Sequence, residues 1–231
     1  MALTLTNTAQ AIPRTLPVSG VTPGQSKQRQ EFAGLNEAYR ALTMTQKSGW
    51  QATANAFNAG QGRTGRHKLS AANAFCILNS SRLMLLQPIQ TAAPSDIAPP
   101  PVMVNVSASA TTPTPGEGAN AKFSLLVYAP NYDYTVQILA AAPAPTGKPT
   151  FPDKAFAPIG FVQSLSATGT DIGNAYAARY GTPQPGAQIA LKLVPVSSAG
   201  VRRTPLVVLA TVTAAPAAED AQPTDTHLRV G

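Results

Sequence analysis

Gly60-Gln61-Gly62-Arg63-Thr64-Gly65 carries the spacing of a phosphate-binding glycine loop and runs straight into Arg66-His67-Lys68. In a dinucleotide fold such a loop follows a strand and opens a helix, and an acid about 20 residues further on holds the ribose. Here the residues ahead of the loop read as a helix, and no acid stands between Glu37 and Asp96. The nucleotide reading therefore fails on its context. What stays is charge. Arg63, Arg66, His67 and Lys68 precede Ser70, a helix start whose free backbone N–H groups favour an anion. A polyanion contact and a plain solvated loop are the two readings of that cluster.

Other groups that could do chemistry are sparse. The two histidines, His67 and His227, lie in loop-like or tail-like sequence, so neither a His-based triad nor a zinc site has a second local partner. Asp133, Asp153 and Asp171 stand apart, without the spacing that pairs carboxylates for general acid and base work. Tyr128, Tyr132 and Tyr134 cluster about a turn. They suit a sugar-contacting face or, more plainly, core packing with bonded hydroxyls. The single cysteine, Cys76, excludes an internal disulfide, and its setting in Ala74-Phe75-Cys76-Ile77-Leu78 predicts a buried, inert thiol. These residues predict a protein that is not an enzyme and uses no cofactor or metal.

Charge is more informative than chemistry. The formal net charge of +7 falls entirely within residues 1–95, where nine Lys and Arg face Glu31 and Glu37; from Asp96 onward eight bases balance eight acids. Net charge governs association and solubility, so the step predicts two surfaces with different partners. Lys27, Arg29, Arg40 and Lys47 join the loop cations as candidate phosphate contacts, of the kind that weaken steeply with salt. The aromatics nearby occupy buried-stripe positions, so nucleic-acid contact through residues 22–87 would have little sequence preference. An acidic protein or cell polymer is the other class of partner.

The elements that must position these cations are helical. Thr22-Pro23-Gly24-Gln25 combines an N-cap, proline at the first helical position and glutamine closing a capping box. Phe32, Leu35, Tyr39 and Leu42 then mark a buried stripe on a helix ending near Leu42. Thr43 and Gln46 repeat the cap, and Trp50, Ala54 and Phe57 supply a second stripe ahead of Gly60. Ser70 caps a third helix through Leu86, with Phe75, Leu78 and Leu85 inward and Pro88 as the stop. A unit of this size buries only about 60% of its unfolded surface, so docking or oligomerisation is expected to complete its core.

Proline changes as abruptly as charge, with three before residue 88 and nineteen from Pro88 onward. Residues 88–101 read as a stiff connector holding two modules apart. Beyond it the period becomes two: Val102, Val104 and Val106; Phe123, Leu125 and Val127; Tyr134, Val136 and Ile138; Ile189, Leu191 and Leu193; then Val207, Leu209 and Val212. Five or more short strands between turn signals predict an antiparallel sandwich of immunoglobulin or fibronectin type III kind over residues 102–213. Thr170 to Tyr180 breaks the pattern with helical spacing of Ile172, Tyr176 and Tyr180 and a stop at Gly181. Residues 1–21 and 214–231 read as extended arms. The expected fold is thus α+β with segregated parts, a basic three-helix module at 22–87 followed by the sandwich.

The first module resembles an uncharacterised group of bacterial and phage-associated proteins in which a Thr-x-x-Gln-x-x-x-Arg-x-x-Phe start leads to Leu-Thr, a Trp helix and a Phe-x-x-x-Asn segment. The matching positions are Thr22, Gln25, Arg29, Phe32, Leu42, Thr43, Trp50, Phe75 and Asn79. The second module is similar to the fibronectin-like domain attached to that group, through Tyr176-Ala177-Ala178-Arg179-Tyr180-Gly181 followed by Gly186 and an alternating strand. The resemblance spans residues 22–213 and implies a fold and a phage setting, with no activity to carry over.

Together these readings predict a structural assembly protein, a phage virion subunit of the capsid or tail, made in the host cytoplasm. Its arms lie across adjacent copies, and its basic helices face nucleic acid or an acidic partner. Homo-oligomers and other virion proteins are its expected partners, and a membrane is not, since there is no secretory signal and no apolar run nears about 18 residues. The rival class is a cell-surface or extracellular adhesion module that binds glycan or protein through the sandwich.

Overall fold

A computed structural model describes residues 22–60, 68–103, 105–113, 123–130, 134–145, 147 and 150–214. The expected arm 1–21, the expected arm 214–231 apart from Ala214, Arg63, Arg66, His67 and His227, and also Asp133 and Tyr132, lie outside these residues. The chain is α+β.

Three helices come first: α1 (Pro23–Ala41), α2 (Met44–Gly60) and α3 (Ala71–Met84). Their starts follow the side chains that satisfy otherwise unpaired N–H groups. Thr22 Oγ1 accepts from the Gln25 amide at 3.3 Å while Gln25 Oε1 accepts from the Thr22 amide at 3.1 Å. Thr43 and Gln46 make the same reciprocal pair at 3.3 and 2.9 Å. Ser70 Oγ accepts from the Asn73 amide at 3.2 Å. The third helix stops two residues before its expected end, because Leu86 takes a left-handed φ of 56°.

Leu35, Trp50, Phe75 and Leu78 form the centre of the helical core, with the Trp50 ring edge-on to Phe75 at 5.0 Å. Phe32 departs from the predicted stripe: it is 41% exposed, since the neighbours that cover Leu35 do not extend over that part of α1. The connector also departs from expectation. It does not hold the helices away from the rest but lies along them. Trp50 Nε1 donates to the Thr91 carbonyl at 2.9 Å, Asn79 bonds both the N–H and the carbonyl of Gln90, and Ala93 and Ile97 pack on the helical core.

The remainder forms one seven-stranded mixed sheet. Its strands are β1 (Ser107–Thr112), β2 (Ser124–Tyr128), β3 (Thr135–Ala140), β4 (Ala157–Val162), β5 (Thr170–Asp171), β6 (Gln188–Val196) and β7 (Leu206–Ala214), with α4 (Gly173–Tyr180) between β5 and β6. The order across the sheet is β4-β3-β6-β7-β1-β2-β5. The expected antiparallel pairing fails at one place, where β1 runs parallel to β7. There β7 changes partners. Leu206 to Thr211 pair with β6, and Val212 to Ala214 pair with β1. The sheet curls into a half-barrel whose inner residues share one core, with Leu125, Val127, Val136, Ile138, Ile189 and Leu191 buried.

Two strand readings shift. Val104 lies outside the described residues, and the described ones around it, Val102, Met103, Asn105 and Val106, are not in a strand: Asn105 has a left-handed φ of 57°, and β1 begins only at Ser107. In β7 the inward residues are Val208, Ala210 and Val212, while Val207 and Leu209 are about half exposed. A run apolar on both faces does not specify which face turns inward, and a slip of one residue reverses them all. The helical reading of Thr170 to Tyr180 holds only from Gly173, as α4, with Ile172 and Tyr176 buried and Gly181 at its end with φ 76°; Thr170 and Asp171 instead pair with β2 as β5.

Candidate functional site

The predicted cations do not converge among the described residues. Lys27 and Arg29, both exposed on α1, are two positions apart and so point to different sides of the helix. Arg29 and Arg40 share a face but are separated by three turns, roughly 16 Å. Lys47 is occupied: its Nζ donates to the Arg40 carbonyl at 2.9 Å and sits 6.0 Å from the Tyr39 ring centre. It therefore closes the C-terminal end of α1, where a cation suits the exposed carbonyls. Lys68 is exposed at the entry to α3. There Asn58 of α2, buried, grips Leu69 with two bonds, accepting from its amide at 2.8 Å and donating to its carbonyl at 3.0 Å. Leu69, next to Lys68, is thus anchored to α2, while Arg63, Arg66 and His67 lie outside the described residues.

The remaining groups with potential chemistry carry structural bonds. Asp171 Oδ1 accepts from the amides of Leu125 and Gly173, and Oδ2 from Ser124 Oγ, tying β2 to the start of α4. Asp153 pairs with Lys192 at 3.0 Å. Tyr128 lies against Gly169, and Tyr134 packs on the sheet core. Cys76 is buried with Sγ 3.6 Å from Asn36 Oδ1, and burial pushes its thiol up from the usual range. Among the described residues no group of three or more His, Cys, Asp or Glu could hold a metal ion, and no helix is long and apolar enough to cross a membrane.

A different feature stands out where the two parts of the chain meet. The turn between β6 and β7 inserts into the helical unit, and Ala199 and Val201 are buried in the helical core. Gly200, at φ 85°, approaches α3 so closely that a Cβ there would lie 2.3 Å from the Leu78 carbonyl oxygen. Arg82 donates to the Ser198 and Pro88 carbonyls, Arg202 Nε to Ser81 Oγ at 3.0 Å, and Arg203 to the Pro100 carbonyl at 2.7 Å. Partial burial lowers the Arg202 guanidinium from its usual value. The helical core that was expected to need a partner is therefore completed in part by its own chain.

That completion leaves a groove of about 770 Å³. α1 from Gln28 to Leu35 and α3 from Ile77 to Met84 line its walls, together with the end of α2, the segment Ile97–Pro99 and the turn at Gly200–Arg202. Its surface is mostly apolar, with Gln28, Ser80 and Ser81 as its neutral polar residues. Phe32, Ile77 and Met84 are 41%, 45% and 45% exposed along it, and Glu31 and Arg202 are the charged residues of its lining. The sequence signal for it was present but ambiguous. Phe32 and Ile77 read as core or near-core residues, and nothing local marks Gly200 as the residue that docks. No protein-family model, curated protein or solved structure matches the chain.

Proposed function

We propose that this protein is a non-enzymatic structural assembly subunit, of the phage virion type implied by its sequence resemblance, and that it joins its neighbours through the apolar groove of its helical unit. The groove carries this reading: large apolar side chains exposed together mark interaction surfaces. The exposed cations Lys27, Arg29, Arg40 and Lys68 support a second contact, with nucleic acid or an acidic partner subunit, of the non-specific kind that salt weakens. The immunoglobulin-like reading of the sheet is supported by its connectivity. Strands β1, β2 and β5 lie on one side of β7 and strands β4, β3 and β6 on the other, and the chain passes repeatedly between the two groups.

Magnitudes restrict how the groove works. Phe32, Ile77 and Met84 are already more than half covered, so burying what remains contributes roughly 2–4 kcal/mol. Association costs about 4–15 kcal/mol. A flat contact on these three rims does not hold a complex, so an occupant must bring large apolar side chains of its own into the groove.

Light scattering over a range of concentrations tests the reading. The full chain should exceed its monomer mass of 23.9 kDa as concentration rises, and Ile77→Glu with Met84→Glu should restore the monomer in a chain that still folds, shown by an unchanged circular dichroism spectrum. A chain that stays monomeric throughout overturns it.

A further inference from the structure

The groove needs an occupant with its own apolar anchors, and the chain itself contains one of suitable size. We propose that the groove of one copy receives residues 12–18 of a second copy, Ile12-Pro13-Arg14-Thr15-Leu16-Pro17-Val18. This rests on the assembly reading above and names the partner of the same site.

Three features match. Ile12 and Leu16 on an extended chain stand about 13 Å apart, close to the roughly 10 Å of the groove wall between Gln28 and Leu35 on α1. Both leave a deep apolar side chain to insert against Phe32, Ile77 and Met84. Arg14, midway between them, meets Glu31, which lies midway along that wall. Pro13 and Pro17 favour extended backbone, which enters a groove with less ordering cost than a flexible chain.

The point of attachment selects a second copy over the same chain. Residues 1–21 join α1 at Thr22, whose backbone is extended at φ −66°, ψ 152°. Pro17 and Pro23 disfavour helical backbone at the residues before them. If the extended backbone of Thr22 continues through residues 17–21, as the prolines favour, reaching the chain's own groove requires a full reversal there. Running on into a facing copy requires none. Each copy carries both segment and groove, so a mutual exchange between two copies closes with two-fold symmetry, whereas a one-way exchange would run on from copy to copy. The acidic C-terminal residues are a poorer source, since they follow β7 at Ala214, and β7 runs nine residues, about 30 Å, from its helix-facing start.

Complementation between two variants tests this. One chain lacks residues 1–21 and keeps its groove; the other keeps its segment and carries Ile77→Glu and Met84→Glu. Each should be monomeric alone, and mixing them should give a one-to-one heterodimer by light scattering. In the full-length chain, Ile12→Asp with Leu16→Asp should weaken self-association about 100-fold, without bearing on the fold of residues 22–214. If the deletion variant still self-associates through an intact groove, the occupant is wrong while the assembly reading stands. If the folded groove variant still self-associates, both fail. Monomeric variants that do not combine, with the segment variant as strongly associated as the parent, also overturn the exchange.

Discussion

The helical core and the sheet core are built on opposite terms. The sheet core is lined by strands from its own half-barrel and by α4, whose Tyr176 donates to the Ala141 carbonyl and whose Tyr180 donates to that of Ala140. The helical core takes Ala199 and Val201 from the β6–β7 turn, takes Ala93 and Ile97 from the connector, and still leaves a groove along α1 and α3. One unit encloses itself, whereas the other is assembled from borrowed pieces and stays open. Openness is affordable only where the rest of the molecule holds the helices in place, which is what Gly200 against Leu78 and the bonds of Arg82, Arg202 and Arg203 accomplish.

The largest test of this contrast compares two glycines. A Cβ at Gly200 would meet the Leu78 carbonyl oxygen at 2.3 Å, and one at Gly173 would meet the Phe123 carbonyl oxygen at 2.3 Å. Backbone atoms cannot swing aside as a side chain can, and Gly200 also holds a φ that L residues disfavour. Each change to Ala should cost about 2–4 kcal/mol. The site of the loss should differ. Trp50, the single tryptophan, sits in the helical core and reports on it by fluorescence, while far-UV circular dichroism follows the sheet as well. Gly200→Ala should bring the Trp50 transition forward and leave a later sheet transition; Gly173→Ala should act on the sheet first. Equal shifts of both signals in both variants would mean one cooperative unit and erase the contrast.

A smaller effect comes from pH, because each core buries one weak acid. Burial raises the Cys76 thiol above its ordinary value of 9.0 in the helical core. Burial first, and then the neighbouring Tyr180, raise the Tyr176 phenol above its ordinary 10.0 in the sheet core. In both cases the unfolded chain ionises before the folded one, so the folded state holds more protons and loses stability as pH rises. Stability should be level below pH 9 and then decline, by at most about 1.4 kcal/mol per pH unit for each group. The helical signal should weaken from about pH 9 and the sheet signal only from about pH 10. Cys76→Ala should flatten the first decline and Tyr176→Phe the second. A common onset in both signals, unchanged by either substitution, would refute the assignment.

The contrast also tracks what was legible in the sequence. Caps were readable because they are local: Thr22 with Gln25, Thr43 with Gln46, and Ser70 each declare a helix within four residues. Central strands were readable because Leu125, Val127, Ile189 and Leu191 alternate. Registers were not, where both faces are apolar, as in Val207-Val208-Leu209-Ala210. The short strands β4 and β5 went unread, since Ala157–Val162 contains Pro158 and Gly160 and β5 has two residues, too few for a period. The groove was hidden for a different reason. It depends on a turn more than a hundred residues from α3 in sequence, and the contacts that place it, Arg82 to Ser198 and Arg202 to Ser81, have no local signature. Asn58 had no sequence signal, and Asn79 had one only as a position of the Phe-x-x-x-Asn motif, without its role: each bonds a backbone segment eleven residues on, and only the folded chain shows it.

The smallest effect on stability belongs to the cations, and it separates surface from scaffold. Arg63, Arg66 and Lys68 belong to the segment between α2 and α3, and Asn58 holds its end at Leu69 through backbone groups that none of the three supplies. Changing all three to Ala should therefore shift stability by no more than about 0.5 kcal/mol. Their positive charge should still matter to a polyanion, because each phosphate contact releases counterions and adds to the salt dependence of binding. Heparin retention and a gel shift with non-specific duplex DNA should both weaken in the triple variant, and the slope of log affinity against log salt should become shallower by about 2–3. Extending the substitution to Lys47 sharpens the point, since that residue bonds the Arg40 carbonyl and should add a loss of α1 stability with little further loss of binding. Unchanged retention by the triple variant would remove the α2–α3 connection from any polyanion contact and would leave Lys27, Arg29 and Arg40 of α1 as the next candidates among the described residues.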